Sequence, residues 1–340
     1  MKKILFMCGS LNQTTMLHQI SEYLEGYDKF FTAYYCDGIE KAAQKLGLLN
    51  FSVLGGKFKE RTEAYLRANN LPIDYEGKKH NYDMVVVCSD LIIPKNLLGK
   101  KMVLVQEGMT DPENFSYYLV KKFNIPRYFA STSTTGLSDA YSKFCVASEG
   151  YRDLFIKKGV KAEKIKVTGI PNFDDCKQYL NNDFPHSGYV LVCTSDSRET
   201  YKFENRKKFI LRAREIAGEK PLIFKLHPNE NVPRATREIR RYAPEALVYS
   251  VGNTNHMIAN CETLITKFSS VVYVGIALGK EVYSDFDLEE LKKLTPIQNG
   301  GTSAKKISEI CKSLIEEKET VMHYQMADRQ NLKGSYNAAG

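Results

Sequence analysis

The sequence predicts an α/β fold of two doubly wound, Rossmann-like domains that face each other across a central cleft. Three observations carry this. Short, continuously apolar runs alternate with amphipathic stretches, the pattern of parallel strands covered on both faces by helices. The alternation pauses in a polar segment, residues 181–188, and then restarts. Finally, 340 residues exceed what one hydrophobic core usually organises.

Residues 3–7 form the first expected strand; the run is too short for a secretory leader and no small-residue cleavage site follows. After Gly9 and Ser10, the residues Met16, Leu17, Ile20, Tyr23 and Leu24 recur at helical spacing. A second strand is expected at 30–35, a basic, exposed helix over 57–79, and two fully buried strands at 84–88 and 102–105. Residues 141–147 give a fifth strand, 150–158 a helix and 164–168 a sixth strand. The polar segment then divides the chain into domains at 1–184 and 185–340. In the second domain, strands are expected at 189–194, 222–226, 246–249, 263–266 and 281–283, with helices between them. A closing helix after Ser303 puts Ile307, Ile310, Cys311, Leu314 and Ile315 on one face.

Composition is that of an ordinary globular protein, 43% apolar and 26% charged. No apolar run approaches the roughly 18 residues that span a bilayer. The eight cysteines are scattered singly without a C-x-x-C pair, which speaks against a zinc site or redox dithiol and for a reducing cytoplasm. The net charge is +8. Basic clusters at Lys121 with Lys122, Lys157 with Lys158, and 237–241 each read as a solvated helix face. Together they would also suit an anionic membrane leaflet or the steering of anionic substrates. No recognition motif accompanies the charge, so nucleic acid is not an expected partner.

Chemistry concentrates where strands end. Lys225-Leu226-His227-Pro228-Asn229 closes one strand, with Lys225 and His227 on the same side and Pro228 ending it. His227 is either a phosphate contact and leaving-group acid or a histidine packed at a strand end. Ser269 and Ser270 follow the strand at 263–266 and open an apolar helix. They are either helix caps or, with the free N–H groups behind them, ligands to a phosphate. Thr194 and Asp196 begin the polar stretch 194–200, which either touches a donor or caps the next helix. In the first domain Glu107 precedes Gly108 at a strand end, and Asp90 sits at the equivalent point one strand earlier. Each is a candidate general base or a turn acid. Glu113 is a weaker candidate, and Gly169 closes the strand at 164–168.

Leu226-His227-Pro228-Asn229, Leu264-Ile265-Thr266-Lys267-Phe268-Ser269-Ser270 and 283–290 resemble the C-terminal half of CDP-glycerol glycerophosphotransferases and related surface-polysaccharide glycosyltransferases of the GT-B fold. The resemblance implies donor-phosphate contacts at His227, Ser269 and Ser270. That family's acidic residue before the aromatic-Ser-Ser is Lys267 here, and its N-terminal His-Gly reads Glu107-Gly108. Asp90, Glu107-Gly108, Val167-Thr168-Gly169 and His227-Pro228-Asn229 are also similar, in order, to non-hydrolysing UDP-N-acetylglucosamine 2-epimerases. Two elements of that family are altered: 196–200 lacks its histidine and 9–13 its arginine.

These resemblances imply a GT-B transferase with an N-terminal acceptor domain and a C-terminal nucleotide-donor domain. It would move a sugar or polyol phosphate to a lipopolysaccharide, capsule or teichoic-acid-like acceptor. Glu107, His227 and Asp90 are the expected catalytic residues; Ser269, Ser270, Lys225, Thr194, Asp196 and Gly169 the expected nucleotide contacts. Neither a metal nor a cofactor is expected. The expected partners are a nucleotide-activated donor and a glycan or lipid-linked acceptor, with peripheral contact at the inner face of the cytoplasmic membrane and a homodimer as further options. The alternatives are a sugar-nucleotide 2-epimerase and a non-catalytic binding subunit.

Overall fold

A computed structural model describes residues 1–50, 52–199 and 203–317. Thr200 and the chain beyond residue 317 lie outside the described residues. The chain runs β1 (Lys3–Cys8), α1 (Leu11–Glu22), β2 (Asp28–Ala33), α2 (Gly38–Lys45), α3 (Gly56–Ala68), β3 (Met84–Val87) and β4 (Lys101–Val105). It continues through α4 (Phe115–Phe123), β5 (Lys143–Val146), α5 (Glu149–Lys158) and β6 (Ile165–Val167). The second half holds β7 (Tyr189–Cys193), α6 (Arg206–Ala217), β8 (Leu222–Lys225), α7 (Val232–Tyr242), β9 (Leu247–Tyr249), α8 (Thr254–Asn260) and β10 (Cys261–Ile265). It ends with α9 (Val271–Ala277), β11 (Glu281–Tyr283), α10 (Leu288–Leu294) and α11 (Ser303–Glu316).

Two all-parallel sheets result, ordered β2-β1-β3-β4-β5-β6 and β11-β10-β7-β8-β9. This is the GT-B arrangement. Strands such as Met84-Val85-Val86-Val87 are wholly buried, as expected of sheets covered on both faces. In each sheet the order turns back once, between β1 and β3 and between β7 and β10. At such a point the loops leaving neighbouring strands diverge and open a crevice at the carboxyl edge.

The helix expected over 57–79 is shorter. α3 stops at Ala68 because Asn70 is left-handed (φ 52°) and Pro72 follows. α11 turns its apolar face to the first sheet: Ile307, Cys311, Leu314 and Ile315 share a core with Ile4, Phe6 and Met16. Lys101 Nζ holds this end by donating to the carbonyl of Leu314 at 2.9 Å. A further core passes between the halves, where the buried hydroxyls of Tyr151 on α5 and Tyr273 on α9 meet at 2.6 Å. Among the described residues no helix is long and apolar enough to cross a membrane.

Candidate active site

A cavity of about 320 Å³ opens at the carboxyl ends of β7, β8 and β10, beside the turning point of the second sheet. Thr194, Lys225, His227, Ser269 and Ser270 line it, and Asn12 and Phe173 close it from the first half. Five of the expected site residues therefore converge. Lys225 and His227 face this space together, while Leu226 between them enters the core.

Lys225 is 4% exposed, and burial pushes its ammonium below the ordinary lysine range. Its Nζ donates to the Leu226 carbonyl at 2.9 Å. The His227 backbone is clamped: its N–H donates to Thr194 Oγ1 and to Glu230 Oε2, both at 3.0 Å. Thr194 in turn donates to buried Glu230, which is paired with Arg206. Asn229 N–H donates to His227 Nδ1 at 3.3 Å, so the neutral ring carries its proton on Nε2. Asp196 Oδ2 stands 3.6 Å from Nδ1 and accepts from Asn229 Nδ2 at 2.9 Å.

Ser270 departs from the capping role its position suggests. Its backbone is already helical (φ −60°, ψ −17°) and its side chain makes no cap bond to α9, a helix of seven residues. Instead its Oγ accepts the N–H of Met109 across the cleft at 3.1 Å. Gly108 permits this approach, since a Cβ there would stand 2.7 Å from Ser270 Oγ. Lys267 pairs with Glu204 at 3.7 Å and lies over the ring of Phe209.

Glu107, next to Gly108, is half-buried at the end of β4. Its carboxylate accepts from Ser10 Oγ at 2.8 Å and from Gln13 Nε2. Ser10 also caps α1 by accepting the N–H of Gln13, so the start of α1 and the carboxylate are set together. Asp90 is elsewhere. It is fully buried, accepts the N–H groups of Gly136 and Ser138 at 3.0 Å each, and pairs with Arg127 at 3.1 Å. Those contacts anchor the 136–138 turn. Gly169 also stays out of the cavity: left-handed at φ 77°, it packs where a Cβ would meet Ser303 Oγ at 2.3 Å. Glu113 is exposed and accepts from Tyr118.

The sequence reading gave no site role to Ser10, Asn12, Gln13, Phe173 or Glu230, although it set 9–13 beside an element of the epimerase family. Ser10 offered a signal, a serine before a helix at a strand's carboxyl end; the others depend on contacts between distant segments.

Comparison with protein-family models and with curated protein sequences finds no match. Solved structures do match in fold. UDP-GlcNAc 2-epimerase from Neisseria meningitidis bound to UDP-GlcNAc is 12% identical with a TM-score of 0.56, covering 92% of this chain and 100% of that one. The S. aureus MnaA–UDP structure is 12% identical with a TM-score of 0.55, covering 94% and 99%. A variant of the wall teichoic acid polymerase TagF soaked with CDPG is 12% identical with a TM-score of 0.51, covering 93% and 89%. At these identities the likeness establishes the shared two-domain fold.

Proposed function

We propose that the protein is a GT-B transferase that moves a sugar or polyol phosphate from a nucleotide-activated donor to a hydroxyl of a surface-glycan acceptor. One observation carries the reading: a buried lysine, an imidazole and two serines share a cavity on one side of the cleft, and a single braced carboxylate stands beside Gly108 on the other. Cleaving the donor leaves negative charge on the departing phosphate. Lys225 and the Nε2–H of His227 oppose that charge in a site partly shielded from water. The donors from Ser10 and Gln13 leave lone pairs free on Glu107, which takes the acceptor hydroxyl's proton as it attacks. The matching structures with UDP-GlcNAc, UDP and CDPG support a nucleotide-linked donor. The reaction proposed needs no cofactor and places the enzyme on the cytoplasmic side, where activated donors are made.

The epimerase alternative needs paired acid–base groups. Here Asp90 is bound by two backbone N–H groups and Arg127, and Glu113 is exposed, so the carboxylate geometry favours the transferase. Incubation with UDP-, CDP-, CMP- and GDP-activated donors, with products read by mass, tests the proposal. Acceptor-dependent release of one nucleotide supports it; nucleotide-sugar isomerisation without acceptor contradicts it.

A further inference from the structure

The turn that carries Glu107 is joined to the second half at a further, buried place outside the cavity. Gln106, 1% exposed, spans the turn: its Oε1 accepts the N–H of Ala147 at 2.9 Å and its Nε2 donates to the Gly108 carbonyl at 2.8 Å. One buried amide thereby brackets the residues on both sides of Glu107. Tyr151 of α5 meets the same turn. Burial pushes its hydroxyl well above the ordinary tyrosine range, and hydrogen bonds with Tyr273, the Thr110 backbone and Gln106 offset part of the rise. Tyr151 is thus bonded to both ends of 106–110 and, at 2.6 Å, to Tyr273 on α9 of the second half. The start of α5 is fixed as well, since Ser148 Oγ donates to the Leu294 carbonyl of α10 at 3.1 Å.

Tyr273 is fully buried, and its hydroxyl is the only polar side-chain group in Val271–Ala277. A buried hydroxyl is costly unless bonded, and phenylalanine would fill the same space without that demand. The core calls for the ring; only the link to Tyr151 calls for the oxygen. Tyr273 also follows Ser270 by three residues, which puts both on one face of the first turn of α9. Each then reaches the Glu107 turn, Ser270 by accepting the N–H of Met109 and Tyr273 through Tyr151. Neither tyrosine lines the cavity that holds His227 and Lys225. Resting on the transferase reading, we propose that Tyr151 and Tyr273 are positioning residues whose paired hydroxyls hold the Glu107 turn at a fixed height against α9.

The test uses the full chain as Tyr273→Phe, Tyr151→Phe and the double variant. In Tyr273→Phe the ring stays and Tyr151 keeps Gln106 and Thr110, so the thermal midpoint should lie close to that of the unaltered protein. The Met109 amide, followed by NMR in protein labelled with ¹⁵N-methionine, should exchange with deuterium several-fold faster because the turn has lost one support. Turnover of the donor that the nucleotide panel identifies should fall about tenfold or more at unchanged donor KM, the signature of a misplaced base. The double variant should lose no more than either single one, since a pair cut at either end is cut once. Tyr151→Phe is the deciding variant if Tyr273→Phe fails to fold. Met109 exchange or turnover that matches the unaltered protein, a loss confined to donor KM, or additive losses in the double variant overturn the proposal. The two ideas separate cleanly: if the unaltered protein transfers from no donor, the transferase reading falls, and Met109 exchange alone decides whether the hydroxyl pair holds the turn.

Discussion

The hydroxyl of Ser270 accepts the backbone N–H of Met109 at 3.1 Å, joining the turn before α9 to the residue two places after Glu107. The turn before α9 and the turn after β4 are thereby registered by a hydrogen bond, with Gly108 supplying the room. A base and a leaving-group cluster on separate sheets work together only if their spacing is held, because misplacement of about an ångström is costly to rate.

Gly108→Ala should therefore lower turnover sharply while leaving the thermal midpoint nearly unchanged. The added Cβ would stand 2.7 Å from Ser270 Oγ and 3.4 Å from its Cβ, so the edges must part or the serine must turn. In Ser270→Ala the nearer atom is gone, and adding Gly108→Ala should then cost much less. Steady-state rates of the four proteins form a cycle; additive losses would show that this contact does not set the spacing.

Glu107→Gln should reduce product formation by about 100- to 10,000-fold, the usual contribution of a general base. Donor affinity by calorimetry should stay the same, since the amide keeps the side chain's size and the proposed donor cavity lies on the other edge. Unaltered turnover would return Glu107 to the role of a turn residue.

Much of this layout was legible in the sequence. The central strands announced themselves as apolar runs because parallel strands covered on both faces have no polar side to show, as in Met84-Val85-Val86-Val87, whereas the edge strands β6, β9 and β11 each keep an exposed residue. The convergence of His227, Lys225 and Ser270 followed from their places at strand ends. What Ser270 bonds to did not: a serine before a helix looks the same whether it caps its own helix or reaches across a cleft. Asp90 and Glu107 likewise share a position in the pattern, yet Arg127 and two turn amides engage one while Ser10 and Gln13 brace the other. The return of α11 to the first sheet was hidden because its apolar stripe names no partner.

Asp90→Ala should act on stability. Removing a buried carboxylate that pairs with Arg127 and accepts two backbone N–H groups costs about 3–5 kcal/mol. Urea unfolding should show this loss while the folded fraction binds donor normally. A stable variant that fails in turnover would instead assign Asp90 to the chemistry.

Lys225 predicts opposite trends with pH. Burial lowers its folded pKa below 10.5, so on raising pH through that lowered value the cation is lost and nucleoside diphosphate affinity falls. Between the folded and unfolded pKa values the unfolded chain binds more protons, so stability of the unliganded protein rises over the same window. Lys225→Met should weaken binding at neutral pH and remove both trends. Affinity that is independent of alkaline pH in the unaltered protein would exclude the lysine from the phosphate site.

The most direct test of the transferase assignment is NMR of UDP-N-acetylglucosamine incubated with the protein in deuterium oxide. An epimerase that eliminates and re-adds UDP exchanges the hydrogen at C2 of the sugar, whereas transfer leaves that carbon untouched. With Asp90 engaged by Arg127 and two turn amides rather than paired with Glu107, C2 should keep its protium with or without an acceptor. Deuterium entering C2 in the absence of acceptor would contradict the assignment and establish epimerase chemistry in its place.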